Sequence, residues 1–198
     1  MKSRSGLMTL VIIIIVAVTL IAYGIRSYNG LVTLEETVQK AWGNIETQYQ
    51  MRMDLIPNIV NTTKGSAAHE RETLESVVNA RSKASQVTID PSNLSPEAMK
   101  KFAAAQGELS QALSRLLVTV ERYPDLKANQ NFLALQEQLQ NIENQISVER
   151  KNFNEEVTLF NKYMRVFPRV VMARLFGFSE KAYFEAEVGS EKAPKVEF

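Results

Sequence analysis

The residues in this chain that could do chemistry are few. Cysteine is absent and His69 is the one histidine. Thiolate chemistry is therefore excluded, and any imidazole chemistry must run through a single side chain. Glu70 follows His69 as in the zinc-peptidase pattern His-Glu-x-x-His, but position 73 is Thr and the second histidine is missing. Glu70, Glu72 and Glu75 would have to complete a metal site, and they read more simply as a solvated helix face. Ser66 lies close before His69, yet a Ser–His pair needs a third, orienting group that the sequence does not supply. Helical di-metal sites use Glu-x-x-His, so Glu143, Glu149, Glu155 and Glu156 do not make one. No glycine-rich phosphate loop occurs among the eight scattered glycines. The expectation is no catalytic residue, no metal and no cofactor, with a hydrolase built on His69 as a minor alternative.

A second group of residues could recognise rather than react. Pro57 stands inside a helical pattern in Asp54-Leu55-Ile56-Pro57-Asn58, where it removes one backbone donor and pushes on the preceding turn. Two readings follow: bending of a long helix, or a kink that presents Arg52, Asp54 and Asn58 as a polar site. Arg52 and Asp54 do not share a helix face, so they are no ready-made ion pair. The other interaction candidates are apolar, in the segment from Val170 through Phe176 to Phe178. The many asparagines, among them Asn129, Asn131, Asn141, Asn144, Asn152, Asn154 and Asn161, read as solvated faces or as buried groups that fix register.

The elements that must position these residues are helices. Leu31, Leu34, Val38, Ala41 and Ile45 recur at spacings of three and four, with Trp42 on the flank. Ile56, Ile59, Thr63, Ala67, Leu74 and Val77 continue that stripe to about Ser85. Val87–Ser95 is turn-rich, and Ser95, Pro96 and Glu97 have the types of an N-cap and first turn. Met99, Phe102, Gln106, Leu109, Leu113, Leu116, Val120 and Tyr123 mark a second helix up to Pro124. Phe132, Leu135, Leu139, Ile142, Ile146, Phe153, Val157, Phe160, Met164 and Phe167 mark a third, whose aromatic residues suit a core better than a ligand cage. Glu149 interrupts its stripe. The fold expected is all-α: an N-terminal transmembrane helix, then an elongated antiparallel bundle of three long helices plus a short fourth.

The transmembrane element is the uncharged run Gly6 to Ile25, roughly 30 Å of helix, which matches the hydrocarbon thickness of a bilayer. It is longer than a signal peptide's apolar stretch and lacks a small-residue cleavage pattern, so it reads as an uncleaved anchor. Lys2 and Arg4 precede it, whereas Arg26 alone follows before Glu35 and Glu36, so the positive-inside rule puts the N-terminus in the cytoplasm. The expected organisation is a tail over 1–5, the span over 6–25, one bundle domain over 26–186 and a mobile tail over 187–198. Net charge is +1 overall. Without Lys2, Arg4 and Arg26 the bundle stands near −2, so nucleic acid is not an expected partner.

Several longer strings are distinctive. Tyr28-Asn29-Gly30-Leu31-Val32, Ala41-Trp42, Asp54-Leu55-Ile56-Pro57-Asn58-Ile59-Val60, His69-Glu70, Tyr123-Pro124-Asp125-Leu126-Lys127-Ala128-Asn129-Gln130-Asn131-Phe132 and Phe167-Pro168 resemble the LemA family of bacterial membrane proteins. The resemblance runs from the anchor to about Ala186, and it departs at Ser66 and Phe153, where the family more often has an aromatic residue and Tyr. It implies a membrane helix followed by a helical bundle, and brings no catalytic residue with it. It also implies an association with membrane metalloproteases and TPM-domain proteins, and a family topology with the N-terminus outside has been proposed against the charge argument above.

The function expected is a non-enzymatic, membrane-anchored scaffold or interaction protein of the bacterial inner membrane and envelope, held by the lipid bilayer and self-assembling as a homo-oligomer. The alternative is an adaptor or regulator of an envelope metalloprotease.

Overall fold

The computed structural model describes residues 2–64 and 70–185, with side chains from Gly6 onward. Ser66, Ala67 and His69, and the tail expected over 187–198, lie outside the described residues. Six helices and no strand occur among those described: α1 (Lys2–Lys64), α2 (Arg71–Gln86), α3 (Pro96–Val120), α4 (Pro124–Lys127), α5 (Gln130–Arg165) and α6 (Arg169–Leu175). The chain is all-α, as the apolar periodicity requires.

α1 joins anchor to bundle without a break. Its 63 residues extend about 95 Å at the usual rise, with no interruption at Gly6 or at Arg26. Among the described residues it is the one helix long and apolar enough to cross a membrane, and its apolar window is unburied by protein. This fits a single-pass membrane protein.

Above the span, α1, α2, α3 and α5 alternate in direction. Contacts between α1 and α5 run in opposite order along the two helices: Gly30 lies against Tyr163, Trp42 against Phe153, and Arg52 against Glu143. Lys83 with Glu108 and Glu70 with Arg122 show the same antiparallel register for α2 and α3. The first helical stripe is thus corrected in one respect. Its residues up to Thr63 lie on α1, and Leu74 and Val77 lie on the antiparallel α2, rather than all on one helix ending near Ser85. Spacings of three and four define a face but no chain direction, so periodicity alone does not separate one long helix from a hairpin of two.

The ends of the helices follow local chemistry. Ser95 Oγ accepts from the backbone N–H of Ala98 at 3.2 Å, with Pro96 in the first turn of α3. Asn129 Oδ1 accepts from Asn131 N and Phe132 N and starts α5. After α5 the chain turns over Val166 to Pro168 into α6, and Gly177 follows with φ of +79°, a left-handed conformation suited to glycine.

Two cores result. The membrane-proximal one gathers Leu31, Val38, Trp42, Ile45 and Tyr49 of α1 with Met99 and Phe102 of α3, Ile146, Phe153, Val157 and Phe160 of α5, and Phe184. The distal one gathers Leu55, Ile56, Ile59 and Val60 with Leu74, Val77, Leu109, Leu113, Leu116, Phe132 and Leu139. Nearly every stripe residue is buried or half-buried in one or the other. Phe167 is the exception: expected in the core, it is 79% exposed, because α5 has already ended at Arg165.

Candidate functional site

Between the two cores lies a polar layer centred on Arg52. The side chain is 1% exposed, and its Nη1 donates to Ser110 Oγ at 2.9 Å and to Glu143 Oε1 at 2.8 Å. Nη2 donates to Gln106 Oε1, and the guanidinium carbon stands 5.0 Å from the centroid of the Tyr49 ring. One cation thus ties α1, α3 and α5 together. Burying a charge is costly unless it is paired and hydrogen-bonded, and here one carboxylate and two neutral acceptors meet it. Glu143 keeps 39% of its side chain in solvent, so the layer opens at one edge. Arg52 was a sequence candidate. Gln106 and Glu143 were visible as polar residues in or near apolar stripes, but nothing in one sequence pairs them with Arg52.

The rest of the candidate at Pro57 is not assembled. Arg52 turns inward, whereas Asp54, Pro57 and Asn58 are exposed, Asp54 accepting from Gln50 Nε2 at 2.9 Å. Pro57 has another consequence. Lacking an N–H, it cannot bond the carbonyl of Met53 one turn earlier; Arg81 Nε, reaching from α2, donates to that oxygen at 2.8 Å. The proline creates a vacant backbone acceptor on α1, and α2 docks on it.

The proximal core is closed by chain that is not helical. Asn161 Nδ2 donates to Lys181 O while its Oδ1 accepts from Lys181 N, both at 2.9 Å. Two helical turns earlier, Asn154 makes the same pair with Phe184 O and N, at 3.0 and 2.9 Å. Each amide presents a donor and an acceptor to the backbone, as a neighbouring strand would. Segment 181–185 is thereby strapped along α5, with Ala182 N also donating to Leu94 O at 3.1 Å. Lys181 is buried and pairs with Glu35 at 2.6 Å. Phe184 stacks on Trp42 at 5.8 Å between ring centroids and meets the edge of Phe153 at 5.5 Å. Trp42, expected on the flank of a stripe, stands at the centre of this aromatic group. Its Nε1 and the Nε of Arg52 are buried without a hydrogen-bond partner.

The last apolar candidates lie where α1 enters the bundle. Phe176 and Phe178 pack edge-on against Tyr28, at 5.0 and 5.9 Å, and Val170 in the first turn of α6 is half-buried. Arg169 lies 4.0 Å over the ring of Tyr163, and the hydroxyl end of that side chain fills the space where a Cβ on Gly30 would stand.

Among the described residues no cluster of three or more His, Asp or Glu is placed to hold a metal ion. Two titration shifts lie where helices are joined. Tyr123 is raised above its ordinary value because its hydroxyl donates to Glu70, which Arg122 also meets. Asp90 is lowered because the Ser92 hydroxyl and then the Ser92 N–H donate to it.

Comparison with known proteins agrees with this architecture. The chain is 25% identical over 193 residues to magnetosome protein MamQ 2 of Paramagnetospirillum magneticum, covering 89% of this chain and 71% of that protein. It is 25% identical to MamQ of Magnetospirillum gryphiswaldense over 79% of this chain and 64% of that one. It is also 25% identical to the LemA protein of Metamycoplasma hominis, over 80% of this chain and 68% of the relative. A sequence model described as the LemA family matches residues 41–198, which takes in Arg52, the Pro57–Arg81 contact and the strapped segment. The chain belongs to the LemA family.

Proposed function

We propose that this protein is a non-enzymatic scaffold of the bacterial inner membrane that assembles with copies of itself. Its N-terminus lies in the cytoplasm and its bundle outside, following the excess of basic residues before the span. The observation that carries the proposal is the continuity of α1, which enters both cores directly from the apolar segment. A bundle on such a helix has little freedom to swing, so an assembly of bundles also sets the arrangement of spans. The described groups with buried charge, Arg52 and Lys181, are both spent on joining elements. Leu133, Val148 and Leu159 of α5 are exposed apolar residues outside the two cores, and offer a face for a second copy.

The test is gentle detergent extraction of the full-length protein, with particle mass and co-purifying proteins measured together. A mass of several chains and no stoichiometric companion is the expected result. A single copy bound to a metalloprotease or a TPM-domain protein would replace self-assembly with the adaptor function. A lone monomer at all concentrations would refute both.

A further inference from the structure

We infer that the corner formed by Phe167, Val171 and Leu175 is a second membrane contact, a foot pressed into the headgroup region of the same bilayer that holds the anchor. The inference rests on the reading that Gly6–Ile25 spans the membrane. Phe167 and Leu175 are 79% and 73% exposed, more than Leu7 of the span at 65%, and Val171 at 53% equals Ile14. Val171 and Leu175 lie one turn apart on α6, on the side opposite the buried Ala173, and Phe167 stands in the turn just before that helix.

Contacts with α1 set the height of the corner. Tyr163, two residues before the end of α5, lies against Gly30, and Phe176, next to Leu175, makes an edge contact with Tyr28. Tyr28 stands three residues beyond Ile25, the last residue of the apolar run, or about 5 Å at the rise of a helix. A large apolar surface there meets the interfacial zone, where Tyr23 and Tyr28 of α1 also stand as aromatic anchors.

Charge suits the same occupant. Arg165, Arg169 and Arg174 flank the three residues in sequence, Arg169 lying over the Tyr163 ring and Glu180 opposing Arg165 at 3.7 Å. Arginine can lay its stem along apolar surface and keep its head among phosphates. A lipid surface with anionic headgroups therefore satisfies both the apolar and the basic parts of the corner. The foot would give the bundle two points of support and fix its rotation about the α1 axis.

The native chain contains no cysteine, so single substitutions give clean labelling sites in the full-length protein. Val171→Cys, Leu175→Cys, Ile15→Cys and Val118→Cys, each carrying an environment-sensitive fluorophore, are reconstituted in phosphatidylcholine–phosphatidylglycerol vesicles containing lipids with quenchers at shallow or deep acyl positions. Labels at 171 and 175 should be quenched several-fold more by shallow than by deep quenchers, label 15 the reverse, and label 118 by neither. Arg169→Glu with Arg174→Glu should reduce quenching at 175 while leaving 15 unchanged. Labels at 171 and 175 as wet as 118, with 15 still deep, overturn the foot and leave the anchor standing. Labels at 171 and 175 shielded from water yet unquenched by lipid also overturn it, since protein then covers the corner. Loss of quenching at 15 overturns the anchor reading itself.

Discussion

The two cores on either side of Arg52 are built by different rules. The distal core is aliphatic and helix on helix: α2 and α3 lay Leu74, Val77, Leu109, Leu113 and Leu116 against the upper part of α1 and the start of α5. The proximal core is aromatic, and part of its wall is an extended strap held by Asn154 and Asn161. Distal packing rests mainly on periodic apolar faces, with the Arg81–Met53 contact added, whereas the proximal core depends on two asparagines that each bond the strap's backbone twice. The half nearest the membrane is therefore the half with more specific, less interchangeable contacts.

Substitutions that act on one core and spare the other sharpen this contrast. Phe184→Ala removes the ring stacked on Trp42 and detaches the strap, and should lower stability by about 4 kcal/mol in urea unfolding, as large aromatic truncations do. A distal truncation such as Leu116→Ala should cost about 3 kcal/mol and leave proteolytic protection of segment 181–185 intact. If Phe184→Ala were mild and left Trp42 fluorescence unchanged, the strap would not be part of the proximal core.

Arg52 offers the next effect. Arg52→Ala should cost about 2 kcal/mol, lower than for fully enclosed pairs because Glu143 reaches solvent. Arg52→Met, which keeps volume, should restore part of that loss while weakening the register between α1, α3 and α5. Amide exchange of Gln106 and Glu143, compared between the two variants, reads that register.

A smaller effect tests the proline. Arg81→Ala should cost about 1 kcal/mol by leaving the Met53 carbonyl without a donor. In a Pro57→Ala background the helix recovers its own N–H at that position, so the same Arg81→Ala change should cost clearly less. Equal costs in a double-mutant cycle would mean that Arg81 does not serve the vacancy made by Pro57.

The smallest effect is a pH dependence at the linker. Asp90 titrates below its ordinary value when folded, so its contribution is present above the usual carboxylate range and fades as pH falls through the folded value. Asp90→Asn should flatten that part of the acid limb of stability, with the midpoint at neutral pH barely moved because the group is exposed.

The contrast also explains what the sequence made legible. Stripes at three and four predicted buried Leu31, Val38, Leu109, Leu116, Phe153 and Phe160, and the types Ser95-Pro96 predicted a helix start. Those signals are local. Segment 181–185 is too short to show a helical period, and Asn154 and Asn161 look solvated until a backbone is laid beside them. The pairing of Arg52 with Glu143 joins residues that are far apart in the chain, and no spacing rule reaches so far. Pro57 was legible as an interruption, but its partner Arg81 was not.

Anchor and bundle share one helix, α1. Amide hydrogen exchange of the full-length protein in lipid nanodiscs, followed across residues 22–36, probes that continuity where it is weakest, because Gly24, Ser27, Asn29 and Gly30 crowd the junction with weak helix formers. Slow exchange is expected through the whole window, continuous with the protected amides of Leu31 to Ile45. A fast-exchanging gap between Arg26 and Gly30 would mean a hinge, and would contradict a bundle fixed by its anchor.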